Sequence, residues 1–191
     1  MAGRQAKVLA ASTLRRLLSY AAKSPTPKRD RVMILLSVRA GLRACEIAGL
    51  RWSMVLDGRG RVSDNIEIRD DIAKYGSGRR LPMHGELRLA LSQLRRGVSG
   101  DGPVVLSARG GHMRANSVVN WFVAAYACLG AQGCSSHSGR RTFITNAARQ
   151  AHRAGASLRD VQLLAGHRSI ETTQCYIDGD SDAQRRLVKS L

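Results

Sequence analysis

Residues 134–176 read CSSHSGRRTFITNAARQAHRAGASLRDVQLLAGHRSIETTQCY. His137 and Arg140 stand in the first turn of a helix. Ser135 and Ser136 precede it as capping residues, and Phe143, Ile144, Ala147, Ala148 and Ala151 supply its apolar face. That end of a helix offers free N–H groups and the positive end of the dipole, which favour a bound phosphate. Ser157 caps a further helix carrying Leu158, Val161 and Leu164, and it ends at Gly166-His167. A last helix covers SIETTQCYID, residues 169–178. There Ile177 shares a face with Ile170, and Tyr176 points about 100° off that face. A tyrosine on the core stripe reads as packing; this one has room to be elsewhere. A phenol, two imidazoles and a guanidinium in one segment suggest chemistry on a phosphate.

The whole chain permits that reading. Its 191 residues make one domain, 1–191, the default and are enough to bury a proper core. Hydrophobic residues make up 43%, so the chain is not disordered. With 31 Lys+Arg against 14 Asp+Glu, the formal charge of +17 calls for an anionic partner, and nucleic acid is the first candidate. The basic residues are dispersed through apolar segments, as on a folded surface that tracks a DNA backbone. Cys45, Cys128, Cys134 and Cys175 form no C-x-x-C pair. No apolar run reaches the roughly 18 residues of a membrane span, and no signal peptide opens the chain. Reduced thiols and a cytoplasmic, nucleoid-associated protein are expected.

Upstream, residues 1–12 are a basic lead. Leu14, Leu17 and Leu18 predict a helix to about Ala22 with Thr13 as its cap, and Ser24-Pro25-Thr26-Pro27 breaks it. Residues 28–40 are an apolar helical run ended by Gly41. In GLRACEIAGLRW, residues 41–52, Glu46, Ile47 and Leu50 fit another helix, with Arg43 just after a glycine. From about Val55 to His84 the pattern turns to strands. Ile66 and Ile68 alternate with Glu67 and Arg69, Gly76-Ser77-Gly78 makes a tight turn, and RRLPMH leads out of it. Lys74 sits before that turn, at a hairpin tip that can reach a phosphate. Taken alone, Arg43 and Lys74 read as ordinary surface charges. Residues 84–97 form an amphipathic helix with Leu87, Leu91 and Leu94 on one side. Residues 115–129 form another, with Val118, Val119, Phe122, Val123 and Tyr126 on one face, so Tyr126 reads as core.

These residues carry a family resemblance. The chain resembles the catalytic domain of the tyrosine recombinase (phage integrase) family over nearly its whole length. GLRACEIAGLRW looks like the first-arginine segment, giving Arg43. AKYGSGRRLPM looks like the β-hairpin lysine segment, giving Lys74. HSGRRTFITN corresponds to the H-x-x-R segment, giving His137 and Arg140, and LLAGHRSIETTQCYI looks like the segment of the last histidine and the nucleophile, giving His167 and Tyr176. Each motif alone is weak; their order makes the signal. Many members have Leu before the second arginine and His after it, where this chain has Gly139 and Arg141. The N-terminal clamp domain of typical members is not expected here.

The resemblance implies an α+β, mostly α fold: a helical catalytic domain with a small antiparallel β-sheet that contributes Lys74. It implies a site-specific recombinase that cleaves and rejoins double-stranded DNA through a 3′-phosphotyrosyl ester, without metal, cofactor or ATP. Tyr176 would be the nucleophile. Arg43 and Arg140 would grip the non-bridging oxygens, His167 would donate a further hydrogen bond, His137 would assist proton transfer and Lys74 would protonate the leaving oxygen. A tetramer on DNA is implied, with residues 180–191 as a tail docking on a neighbouring subunit, and an accessory DNA-binding protein could replace the clamp. A non-cleaving regulator of recombination and a topoisomerase-like nicking and religating enzyme remain open. Other chemistries lack their residues. No Lys-Ser/Thr follows the Gly-rich stretch, and there is no H-E-x-x-H and no G-x-S-x-G. The calcium-loop-like start at 178–183 has Ala183 where Gly is needed and Lys189 where the closing Glu should be.

Overall fold

The computed structural model describes residues 6–96, 100–176 and 188–189. Within them the chain is mostly helical with one two-stranded antiparallel sheet, as the sequence reading expects. It divides into two compact units, Met1–Phe143 and Ile144–Leu191.

The first unit is built on α2 (Pro27–Arg39). Its residues from Val32 to Val38 are all buried. A helix apolar on every side belongs in an interior, and each such Leu or Ile contributes roughly 1.5–3 kcal/mol of burial. Pro27 opens this helix where a missing N–H costs nothing. Around α2 pack α1 (Ala11–Ala22), α3 (Ala44–Gly49) and α4 (Gly85–Arg95), and α5 (Ala115–Cys128) packs on α1 and α3. The buried carboxylate of Asp30 links α2 to α5: it accepts from Arg29 Nε at 2.8 Å, Thr26 Oγ1 at 3.2 Å and Trp121 Nε1 at 3.2 Å.

β1 (Asn65–Ile68) pairs with β2 (Arg79–Pro82), Ile66 opposite Leu81. Ile66, Ile68 and Leu81 are buried while Glu67 and Arg80 face out, the alternation expected of a half-buried hairpin. The strand region is shorter than its pattern suggests, in part because residues 74–76 wind into a 3-10 turn.

Three local expectations are corrected. Thr13 is not a cap: α1 starts at Ala11, after Ala10, which has no side-chain oxygen to offer. Val123 is exposed, since the buried stripe of α5 runs through Val118, Phe122, Ala125 and Tyr126. The helix expected from Ser135-Ser136 starts later, as α6 (Ser138–Ala151). Ser135 and Ser138 close the turn before it, through Ser135 N to Ser138 Oγ at 3.0 Å and His137 N to Ser135 Oγ at 3.3 Å.

The unit boundary falls within α6. In the second unit, α7 (Leu158–Ala165) packs on α8 (Ile170–Gln174). Ser157 caps α7 as expected, in a box with Asp160. Ile177, whose face the sequence reading uses, and nearly all of the 180–191 tail lie outside the described residues.

Candidate active site

Gly41 begins the first of two clusters of candidate residues. Its φ of +65° is left-handed, and a Cβ there would run into the ring of Phe143, so glycine is required twice over. Its carbonyl accepts a 2.6 Å hydrogen bond from Arg140 Nη1. Arg140 is 5% exposed and lies in the first turn of α6. The guanidinium of one candidate arginine is therefore tied to the backbone two residues before the other, Arg43.

Arg43 is the N-cap of α3 and is gripped by Glu46 one turn on. Arg43 N donates to Glu46 Oε2 at 2.8 Å and Nη1 to Oε1 at 3.0 Å. Arg79, at the start of β2, donates to the same carboxylate through Nη1 at 2.8 Å and Nη2 at 3.0 Å. The Glu46 side chain is 0% exposed and that of Arg79 is 6% exposed. Burial pushes the Glu46 carboxyl up. The hydrogen bonds and charge of Arg79, with the amide and guanidinium of Arg43, outweigh burial and hold it below the usual carboxylate range. The carboxylate thus orients Arg43 and ties the hairpin to α3.

Lys74 lies on the turn between β1 and β2, exposed, with Nζ 4.9 Å from the ring centroid of Tyr75. His137 is exposed immediately before α6, its Nδ1 3.4 Å from Ser136 Oγ. Gly139 explains one departure from the family's common pattern. A Cβ at this position would collide with the side chain of Ser37 on α2, so α6 starts too close to α2 for a leucine.

The second cluster lies within the second unit and is local to residues 157–176. Gly166 ends α7 in the left-handed conformation, φ +62°. Gln162 then fixes the next residue's backbone from both sides: His167 N donates to Gln162 O at 3.2 Å, and Gln162 Nε2 donates to His167 O at 2.9 Å. The His167 ring has Nδ1 2.9 Å from the hydroxyl of the fully buried Thr173. If the hydroxyl donates, the imidazole proton sits on Nε2 and makes that nitrogen the donor. The ring of Tyr176 stacks on His167, centroids 5.6 Å apart and planes at 25°. Tyr176 follows the last turn of α8, its N–H bonded to Thr173 O at 3.0 Å. Thr173 therefore holds both partners.

The structure brings Arg140 to the Arg43 segment and His167 to Tyr176. Sequence reasoning missed Glu46 as a holder of Arg43, along with Arg79, Gln162 and Thr173. Glu46 leaves a local signal, an acid three residues after Arg43 on one helix. Arg79 leaves none, because its bond to Glu46 spans 33 residues. Tyr126 is core as expected: burial pushes its hydroxyl far above the ordinary tyrosine value, with a smaller contribution from Cys134. Among the described residues, no three His, Cys, Asp or Glu side chains gather as a metal site, and no helix is long and apolar enough to cross a membrane.

The sequence profile of the phage integrase family matches residues 7–182. The chain belongs to the phage integrase family. This family member is 30% identical over 189 residues to tyrosine recombinase XerC of Roseiflexus sp. (strain RS-1), covering 91% of this chain and 56% of that protein. The chain spans about half the length of the curated relatives it matches. Among solved structures, it is similar to the Tn1549 transposon integrase in complex with a circular intermediate DNA, with a TM-score of 0.75 at 20% identity, covering 100% of this chain and 67% of that one. It is also similar to a lambda integrase tetramer bound to a Holliday junction, with a TM-score of 0.69 at 19% identity, covering 89% of this chain and 47% of that one. At these identities the likeness is one of fold, and it is the integrase catalytic fold that the sequence motifs imply.

Proposed function

We propose that this chain is a site-specific DNA strand transferase that works through a 3′-phosphotyrosyl intermediate. Tyr176 Oη attacks the scissile phosphorus, and the P–O5′ bond breaks as the P–Oη bond forms. The phenol proton passes to His137, and Lys74 gives a proton to the departing 5′ oxygen. Arg43 and Arg140 bind the non-bridging oxygens in the fork geometry that guanidinium suits, and His167 donates to the same group from Nε2. The ester conserves the bond energy, so a 5′-hydroxyl can reverse the step and rejoin DNA without a nucleotide or a metal.

The observation that carries this reading is the bond from Arg140 Nη1 to Gly41 O, two residues from an Arg43 already oriented by Glu46. It supports a two-arginine phosphate site from segments 99 residues apart. The charge of +17 supports duplex DNA as the partner. By analogy with the lambda integrase tetramer bound to a Holliday junction, four copies act together on DNA; residues 180–191 would dock on a neighbour, and an accessory protein would supply further DNA grip.

The test is a nicked duplex built on the repeats flanking the coding locus, incubated with the 191-residue chain. A denaturant-resistant protein–DNA adduct that Tyr176→Phe abolishes is the expected result. Salt-sensitive binding with no adduct on any repeat would instead make the chain a non-cleaving binder. Relaxation of supercoiled plasmid lacking those repeats would make it topoisomerase-like.

A further inference from the structure

One backbone feature stands out in the first unit. Tyr75 has φ +63° and ψ +29°, the only described non-glycine residue with a positive φ. For a bulky side chain that region is a genuine outlier, because Cβ crowds the backbone. The surrounding turn holds it there. Gly76 N donates to Ala73 O at 3.3 Å, Ser77 Oγ to Lys74 O at 2.8 Å, and Gly78 N to Asp70 Oδ1 at 2.7 Å. Gly76 follows at φ +59°, so the turn needs two left-handed residues in succession. Glycine or asparagine meets that need at little cost; tyrosine does not. Nor is the ring retained for the core, since Tyr75 is 67% exposed.

What the strained geometry does is place the ring beneath the Lys74 ammonium, 4.9 Å from Nζ to centroid. That is inside the range in which the negative face of an aromatic attracts a cation. Lysine carries four flexible carbons, and an exposed one samples many rotamers. Strain kept at an exposed turn, next to a group with a chemical task, is a recurring mark of functional sites.

We propose that Tyr75 is a positioning residue for Lys74, its ring holding the ammonium in the arrangement from which it protonates the leaving 5′ oxygen. This rests on the assignment of Lys74 as the leaving-group acid in the proposed function. The ring contributes its π face, so the hydroxyl is dispensable and the ring is not.

The experiment compares two nicked duplexes built on the flanking repeat, identical except that one has sulfur in place of the scissile bridging 5′ oxygen. A thiolate leaves without protonation, so a fault confined to the leaving-group acid disappears on the sulfur substrate. The 191-residue chain is assayed as wild type, Lys74→Ala, Tyr75→Phe, Tyr75→Gly and Tyr75→Asn, with adduct formation read at saturating protein. Tyr75→Phe is expected to cleave both duplexes at the wild-type rate. Tyr75→Gly and Tyr75→Asn are expected to slow about fivefold to tenfold on the oxygen duplex and to recover the wild-type rate on the sulfur duplex, with no loss of melting temperature. Lys74→Ala shows the larger oxygen defect and the same recovery. Gly and Asn variants slowed equally on both duplexes, or on neither, overturn the role of Tyr75. If Lys74→Ala gains nothing from sulfur while the wild type forms adduct, the acid assignment falls and this proposal with it. A wild type that forms adduct on neither duplex overturns the strand-transfer reading itself.

Discussion

Glu46→Gln tests the electrostatic core of the site with almost no change in shape. In the wild type, Arg43 N, Arg43 Nη1, Arg79 Nη1 and Arg79 Nη2 all donate to the Glu46 carboxylate, at 2.8–3.0 Å. Glutamine keeps one acceptor and turns an NH2 toward guanidinium donors. The Arg79 side chain, 6% exposed, then loses the counter-charge that Glu46 supplies. Breaking a buried pair from one side costs roughly 3–5 kcal/mol. Solvent screening gives little relief at that depth. For a chain of this size that corresponds to a fall in Tm of roughly 6–20 °C. Both tryptophans, Trp52 and Trp121, lie in the first unit, so urea unfolding followed by their fluorescence reads the unit that holds the cluster. The pH dependence has a definite sign. Because the folded-state carboxyl is held below its ordinary value, its contribution is complete above the unfolded value of about 4.3 and is lost as pH falls through the folded one. The wild type should therefore lose stability on acidification more steeply than the Gln variant. Arg79→Met should cost less than Glu46→Gln, because Arg43 still faces the remaining carboxylate. A Glu46→Gln protein within about 1 kcal/mol of wild type would refute the claim that this carboxylate organises the cluster.

Thr173→Val keeps shape but removes the hydroxyl at His167 Nδ1; adduct formation should drop about tenfold to a hundredfold with folding intact by circular dichroism, since one buried hydrogen bond is lost. Gly139→Ala places a methyl against Ser37 and should cost about 1–3 kcal/mol in urea unfolding, and Gly139→Leu more. Tyr126→Phe removes a buried hydroxyl that has no hydrogen-bond partner among the described residues and should be neutral or stabilising by about 1 kcal/mol. Since burial raises the Tyr126 pKa, its neutral form supports the fold below the unfolded value of about 10. That support is lost as pH climbs further, so the Phe variant should be the more alkali-resistant in a pH titration of unfolding.

What the sequence made legible is what local periodicity encodes. The α2 run, the α5 stripe through Phe122 and Tyr126, the Ser157 cap and the hairpin alternation are all readable from neighbours a few residues apart. The family motifs supplied the candidate residues but not their holders. Arg79 with Glu46, Gly139 against Ser37 and Arg140 on Gly41 are contacts between distant segments, and no pattern within one segment announces them. Tyr75 is the opposite case. Its position in a Gly-rich turn is plain in the sequence, yet the Gly-Ser-Gly that follows reads as sufficient for the bend. Only the dihedral angles reveal that the tyrosine itself carries the reversal.

The Arg140–Gly41 tie also governs timing during synthesis. Its two ends are separated by 99 residues, and closing so long a loop waits until the helices that flank it have docked. A ribosome adding about 5–20 residues per second exposes Arg43 several seconds before Arg140 leaves the exit tunnel. In that interval the growing chain carries Arg43 without the Arg140 that ties to the same segment. The proposed function then implies that a half-made polypeptide can bind DNA without yet being able to cleave it.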